Sequence, residues 1–272
     1  MINIDFLKAV YEIALDAGDA IMNVYNHVHY VEEKVDGTPI TIADRIANDI
    51  ICSGLKKLTP KLKLLSEESI RPDSDNRLFW TRYWLIDPLD GTKEFIKGNG
   101  EFTVNIALID KSRPILGVVH CPANETTYFS AVGQGSWRKT RNGKTEKITT
   151  ATYDGGQLRV AISRSHGDSS LADYCLSLEK KIGCPVTKVP IGSSIKFCLV
   201  AEGSIDIYPR LGSTSEWDTA AAHCILEEAG GSVRLCNGDE LIYNKKSLIN
   251  PWFLAVGNPN YDWIDCSFDD QI

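Results

Sequence analysis

The sequence predicts a mixed α/β (α+β) fold, and three patterns carry that expectation. Apolar residues recur at helical spacing near the N-terminus. Strand-like runs punctuated by Pro and Gly fill the stretch from Tyr83 to about residue 150. Strand and helix signals then alternate to the end of the chain. A boundary is therefore expected near residue 150. It separates residues 1–150, two helices with a mainly antiparallel sheet, from residues 151–272, an α/β unit packed beside the first. With 272 residues and 43% hydrophobic content, the chain can bury one large core or two smaller ones.

Each element has a local reason. Phe6, Val10, Ile13, Ala14, Ala17, Ile21 and Val24 share one helical face. "EEKVDGTPIT" reads as a connector because Gly37 and Pro39 break helices. Thr41 suits the N-cap of a second helix, Ile42 to Leu58, with Ile46, Ile50 and Leu55 turned inward. Lys63 to Leu65 form a short strand ending in "SEES". "YWLID" is a buried run, "FTVNIALID" alternates around Val104, Ile106 and Leu108, and "PILGVVHCP" and "ETTYFSAVGQGSW" continue the sheet. Asn142-Gly143, inside the basic "RKTRNGKTEKI", marks a solvated hairpin. Beyond it, "LRVAISR", "VTKVPI", "IDIYPR" and "WFLAVGN" read as strands. "SSLADYCLSLEKKIG", "SSIKFCLVAEG" and "EWDTAAAHCILEEAGG" read as helices stopped by Gly183, Gly203 and Gly230-Gly231.

Charge and cysteine usage narrow the function classes. The formal net charge of −7 argues against a nucleic-acid polymer as partner, since such a groove needs a basic footprint. A small anionic substrate remains open, because bound cations can supply positive charge locally. Eight cysteines include no C-x-x-C pair, and most sit in apolar stretches, as buried thiols in a reducing compartment do. The acidic N-terminus suits neither a signal peptide nor a span, and no segment reaches ~18 uninterrupted apolar residues. A cytoplasmic protein is expected, free or peripheral at the inner membrane, as a monomer or homodimer.

The chemistry centres on "WLIDPLDGT", Trp84 to Thr92. A strand that ends in Asp87 projects a carboxylate at the sheet edge. Pro88 removes a donor and favours a turn that swings Asp90 back toward the same point. Leu89 offers only its carbonyl oxygen, so the segment presents a hard oxygen site of the kind Mg²⁺ prefers. Gly91-Thr92 would open a helix whose free amides suit phosphate oxygens. Alone, the segment reads equally as a turn with a helix cap. Glu67-Glu68 of "LLSEES" follow a second strand from which either acid reaches the same point, and Asp218 begins an apolar helix that it also suits as a cap. His223, in that helix, reads as a packed core imidazole.

"SEES", "WLIDPLDGTKEF" and "EWDTAAAHCILEEAGG", in this order, resemble the three metal-binding motifs of the inositol monophosphatase superfamily, and the match spans nearly the whole chain. "DGTPITIADRIAND" resembles a further segment of that family, and "DGTKEF" resembles its 3'(2'),5'-bisphosphate nucleotidase branch. The resemblance implies a layered αβαβα sandwich and a Mg²⁺-dependent phosphatase with two or three ions held by Glu67, Asp87, the Leu89 carbonyl, Asp90 and Asp218. It implies that the cations grip a phosphate and ready a water for attack, with Thr92, Asp44 and Glu67 as the catalytic residues. Without the family pattern, Asp44 reads as an exposed helix residue. The implied substrate contacts are Leu89, Asp90, Gly91, Thr92 and Asp218, together with His166, Ser193, Lys196 and Arg210; the last two would neutralise a second phosphate. Tyr208 would line a base pocket or belong to the core. The implied substrate is 3'-phosphoadenosine 5'-phosphate or its 5'-phosphosulfate analogue. Inositol 1-phosphate and fructose 1,6-bisphosphate are the alternatives within the superfamily, and an inactive phospho-ligand sensor is the alternative outside it.

Overall fold

A computed structural model describes residues 2–25, 31–33, 39–69, 75–164 and 169–263. In chain order the elements are α1 (Ile4–Tyr25), β1 (Val31–Glu33), β2 (Pro39–Thr41), α2 (Ile42–Leu58), β3 (Lys63–Ser66), β4 (Arg82–Asp90), α3 (Thr92–Ile96), β5 (Thr103–Asp110), β6 (Arg113–Cys121), β7 (Thr126–Ala131), β8 (Ser136–Lys139), β9 (Thr145–Ile148), β10 (Arg159–Ser163), α4 (Ser169–Ile182), β11 (Thr187–Ile191), α5 (Ile195–Ala201), β12 (Ile207–Arg210), α6 (Glu216–Glu228), β13 (Ser232–Leu235) and β14 (Phe253–Val256).

Strands β3 to β9 form a seven-stranded sheet in sequential order, antiparallel except for the parallel β3–β4 pair. A five-stranded sheet of order β11-β10-β12-β14-β13 follows, parallel on the β10 side and antiparallel around β14. Three apolar clusters stack the layers. Leu7, Val10, Ala14 and Ile21 of α1 and Ala47, Ile51 and Leu55 of α2 pack on Trp84, Ile86, Val104 and Ile106 of the first sheet. The opposite face, through Tyr83, Leu85 and Ala107, shares a core with Phe197 and Val200 of α5, Ala221 and Ile225 of α6, and Tyr208 and Phe253 of the second sheet. Tyr174 and Leu178 of α4 cover that sheet's far side at Val160, Ile207 and Leu254. The order is thus helix, sheet, helix, sheet, helix. The α5–α6 layer is held between the sheets by close approach: a Cβ at Gly117 of β6 would lie 2.1 Å from the Ala221 carbonyl oxygen.

Three features depart from the sequence reading. Strand β4 does not end at Asp87 but runs on to Asp90 through a register shift. The connector after α1 holds a small antiparallel ribbon, β1–β2. Strand β13, only four residues with its last two partly exposed, lacks the length and apolar weight that would single it out. The second helix matches its expected span, Ile42–Leu58, and Thr41 caps it. Among the described residues, seven cysteines are free thiols, and no helix is long and apolar enough to cross a membrane.

Candidate active site

The register shift in β4 creates the site. Asp87 pairs with Asn105 and Asp90 with Thr103, so Pro88 and Leu89 together stand opposite Val104 alone. Side chains alternate faces along a strand, and residues three apart would point oppositely. One extra residue restores the parity. Leu89 therefore packs with Trp84 and Ile86 on the α1–α2 face, while Asp87 and Asp90 share the face toward α5 and α6. In the parallel β3–β4 pair, Ser66 lies beside Ile86. The residue after each of these is an acid, so Glu67, just past the end of β3, arrives near Asp87. Asp218 comes from the first turn of α6.

One carboxylate oxygen from each of Glu67, Asp87 and Asp218 lies within 4.8 Å of the others. Asp87 is buried, and its Oδ1 accepts a hydrogen bond from the Leu89 amide at 3.0 Å. Burial first, then the negative charges of Glu67, Asp90 and Asp218, hold its carboxyl well above the usual carboxylate range. Burial, then Asp90 and Glu67, raise Asp218 likewise. The Ser215 amide donates to Asp218 Oδ2 at 2.8 Å, closing the α6 capping box with the same carboxylate that joins the cluster. Such a group of hard oxygen donors is costly when empty and is stabilised by a divalent cation, so the residues fit the metal their motifs imply.

Asp44 is buried, not exposed as its helix position alone suggests. Its Oδ2 accepts from the Thr41 amide and hydroxyl, both at 2.7 Å, in a capping box, and its Oδ1 accepts from the Thr92 hydroxyl at 3.3 Å. The Leu89 carbonyl competes for the same Thr92 proton at 3.3 Å. Gly91 enters α3 with φ of 91°, and a Cβ there would meet the Glu101 carbonyl oxygen at 3.0 Å.

A cavity of about 250 Å³ opens above the acids, lined by Glu67, Asp90, Thr92, Ser193, Arg210 and Asp218 among others. Tyr208 belongs both to its wall and to the central core. Arg210 is pinned by a bond from Nη2 to the Ser213 carbonyl, and its buried Nε has no protein partner among the described residues. Lys196 lies behind the wall. Its ammonium donates to the carbonyls of Ser193 at 2.7 Å and Ile191 at 3.2 Å and sits 5.2 Å from the Tyr208 ring centre. Burial lowers its pKa to about 8. His166 lies outside the described residues. His223 is buried between Tyr243 (Nδ1 to the hydroxyl, 2.8 Å) and Glu227 (Nε2 to Oε1, 3.1 Å).

Several contributors escape the sequence reading. Lys93 lines the cavity with no ion-pair partner among the described residues. Glu101 accepts from the Gly192 amide at 2.8 Å and receives Arg164 through Nε and Nη2. Asn105 and Ser194 hold Asp90 from behind. Asn105 had a readable signal, a lone amide inside the otherwise apolar "VNIALI". Ser194 had none beyond its place before a helix.

Acids on three separate segments, meeting under a cavity between stacked α/β layers, define the class: the chain belongs to the inositol monophosphatase family, whose model matches residues 3–256. It is 47% identical over 250 residues to the 3'(2'),5'-bisphosphate nucleotidase CysQ of Salmonella typhimurium, covering 91% of this chain and 98% of that one. Against the protein of the same name from Escherichia coli K12 it is 46% identical with the same coverage. Its fold is similar to the crystal structure of CysQ from Bacteroides thetaiotaomicron, at a TM-score of 0.82 and 39% identity over 92% of this chain and 96% of that one.

Proposed function

We propose that this chain is a Mg²⁺-dependent 3'(2'),5'-bisphosphate nucleotidase. It converts 3'-phosphoadenosine 5'-phosphate to AMP and phosphate and also accepts the 5'-phosphosulfate analogue. The observation that carries the reading is the convergence of Glu67, Asp87 and Asp218 within 4.8 Å at the base of a cavity that also presents Arg210. The names and high identity of its relatives support the nucleotide over other phosphomonoesters.

Glu67, Asp87, Asp90, Asp218 and the Leu89 carbonyl would hold two or three Mg²⁺. When bound, these would offset the acids' repulsion, grip phosphate oxygens and make water nucleophilic near neutral pH. The chain's own residues do the rest. Asp44 polarises the Thr92 hydroxyl across their 3.3 Å contact, so that Thr92 can orient the attacking water and pass its proton on, with Glu67 as the neighbouring base. The Gly91 and Thr92 amides steady the scissile phosphate. Arg210, held in place through Ser213, meets the second phosphate beside Ser193. His166, outside the described residues, is proposed as a further substrate contact. Lys196 adds positive charge from behind the wall. The enzyme is proposed to work in the cytoplasm as a monomer or homodimer.

Parallel turnover assays with Mg²⁺ on 3'-phosphoadenosine 5'-phosphate, inositol 1-phosphate and fructose 1,6-bisphosphate test this reading. Higher kcat/KM on the nucleotide is expected. Preference for inositol phosphate would reassign the pocket, and tight nucleotide binding without turnover on any substrate would make the chain a sensor.

A further inference from the structure

Asp90 is held by more donors than Asp87 or Asp218, each of which accepts one such bond among the described residues. Among the described residues, all three hydrogen bonds to its side chain go to one oxygen. Oδ2 accepts from the Ser194 amide at 2.7 Å, the Ser194 hydroxyl at 2.7 Å and Asn105 Nδ2 at 3.4 Å. Oδ1 has no hydrogen-bond partner among the described residues, and Asp90 lines the cavity. The carboxylate is thus fixed by one oxygen and offers the other.

Ser194 is the hub of that arrangement. It is buried, and Asn105 Nδ2 donates to its hydroxyl at 2.8 Å. That donation leaves the single hydroxyl proton to be shared between Asp90 Oδ2 and the Asp218 carbonyl oxygen, each 2.7 Å away. One side chain therefore ties β4, β5 and the first turn of α6 together at the acids. The loop that presents it is clamped from both sides. The Gly192 amide is bound by Glu101, and the carbonyls of Ile191 and Ser193 are bound by the Lys196 ammonium. Ser193 sits at φ of 47°, a conformation non-glycine residues avoid without such support. Gly192 has no room for more: a Cβ there would stand 2.7 Å from Glu94 Cγ and 2.8 Å from the Glu101 carbonyl oxygen.

We propose that Ser194 is a positioning residue for the acid cluster: its amide and hydroxyl lock Oδ2 of Asp90 so that Oδ1 faces the cavity, and its hydroxyl sets the spacing between Asp90 and the α6 turn carrying Asp218. The proposal rests on the reading of Asp90 and Asp218 as divalent-cation ligands. A partner that orients a ligand without touching the ion is typically worth ten- to hundredfold in metal affinity. Lys196 then acts through the same loop, as the staple that keeps Ser194 in place.

The test titrates Mg²⁺ against the full-length chain without substrate, following the rise in Tm, and separately measures kcat and KM on 3'-phosphoadenosine 5'-phosphate at saturating Mg²⁺. Ser194→Ala keeps the amide and removes the hydroxyl. It is expected to weaken apparent Mg²⁺ affinity by about tenfold or more while changing KM by less than about threefold. Ser194→Thr, which restores the hydroxyl, is expected to recover most of that affinity. Ser194→Cys, of similar volume and with only a weak donor, carries the same comparison should Ser194→Ala not fold, and is expected to lose affinity like Ser194→Ala. A lower Tm without Mg²⁺, combined with unchanged Mg²⁺ affinity, would make Ser194 merely structural and overturn the proposal while leaving the cation site intact. No Mg²⁺ response in the wild-type chain would overturn both.

Discussion

Replacing Asp87 by Asn should stabilise the metal-free protein while disabling the enzyme. Asp87 is 1% exposed, its nearest acids lie within 4.8 Å, and its carboxyl is held well above the ordinary range. At that separation and an effective dielectric near 20, each like-charge pair costs roughly 3 kcal/mol. Proton uptake relieves part of this, so removing one charge is expected to gain about 2–4 kcal/mol, or on the order of 4–7 °C in Tm. The amide oxygen of Asn can still accept from the Leu89 amide, which limits the loss. The pH dependence has a definite sign. The ordinary Asp value is 3.8 and the folded value is higher, so the folded chain binds more protons than the unfolded one as pH rises above 3.8, and stability falls across that window. The variant should flatten that fall. Calorimetry in EDTA, repeated with increasing Mg²⁺ and over several pH values, reads all of this. The variant is expected to melt higher than wild type without Mg²⁺, to gain less on adding it, and to turn over substrate orders of magnitude more slowly. A metal-free variant that melts below wild type at neutral pH would show that the acids do not repel one another there, and the cation argument would fail with them.

Other expectations follow from single contacts. Thr92→Ala and Asp44→Asn should each lower kcat by on the order of 10²–10⁴, and the double variant by no more than the worse single one, because the pair acts as one unit; additive losses in a double-mutant cycle would separate their roles. Arg210→Gln should raise KM for the bisphosphate nucleotide roughly tenfold or more, the worth of a charge-assisted bond, and leave inositol 1-phosphate turnover unchanged; equal effects on both would remove Arg210 from the second-phosphate site. Lys196→Met should lower turnover on both substrates alike if the loop is its chief task, whereas a selective loss on the nucleotide would favour its field on the second phosphate. His120 is buried, and burial lowers its pKa to about 4 from 6.5. Its folded value is depressed, so stability present above pH 6.5 is lost as pH falls toward 4, by about 3 kcal/mol in all; denaturant melts of His120→Gln should lack that part of the acid slope.

How much of this was legible depended on whether the signal was local. The span of α2 and its Thr41 cap could be read because apolar periodicity and a capping residue sit within a few positions of each other. Glycine stops at Gly183 and Gly203 were readable for the same reason, and both glycines adopt positive φ. Glu67, Asp87 and Asp218 were legible as an ordered set of motifs, but their meeting is a tertiary fact created by the β3–β4 register and the α6 cap. Lys196 and Asp44 show the limit. By resemblance the sequence puts Lys196 on a second phosphate, and by helix position alone it makes Asp44 an exposed acid, yet the fold buries both. Lys196 is bound to backbone carbonyls and Asp44 to Thr41 and Thr92. Such partners lie on other segments or depend on a loop's path, which spacing alone does not encode.

The function therefore hangs on one local irregularity. A regular β4 would send Asp87 toward α5 and α6 and Asp90 toward α1 and α2, into the apolar layer that receives Leu89, with no cation to share. The bulge at Pro88-Leu89 reverses the second half of the strand. It turns Leu89 into that apolar core and Asp90 out of it, toward Ser194. Proline suits the turning point because it has no amide hydrogen to leave unpaired where the ladder is interrupted. Burying Leu89 favours the bulged register, while gathering the acids opposes it until cations arrive. The core on one face of the sheet thus holds in place the charge concentration that the other face uses.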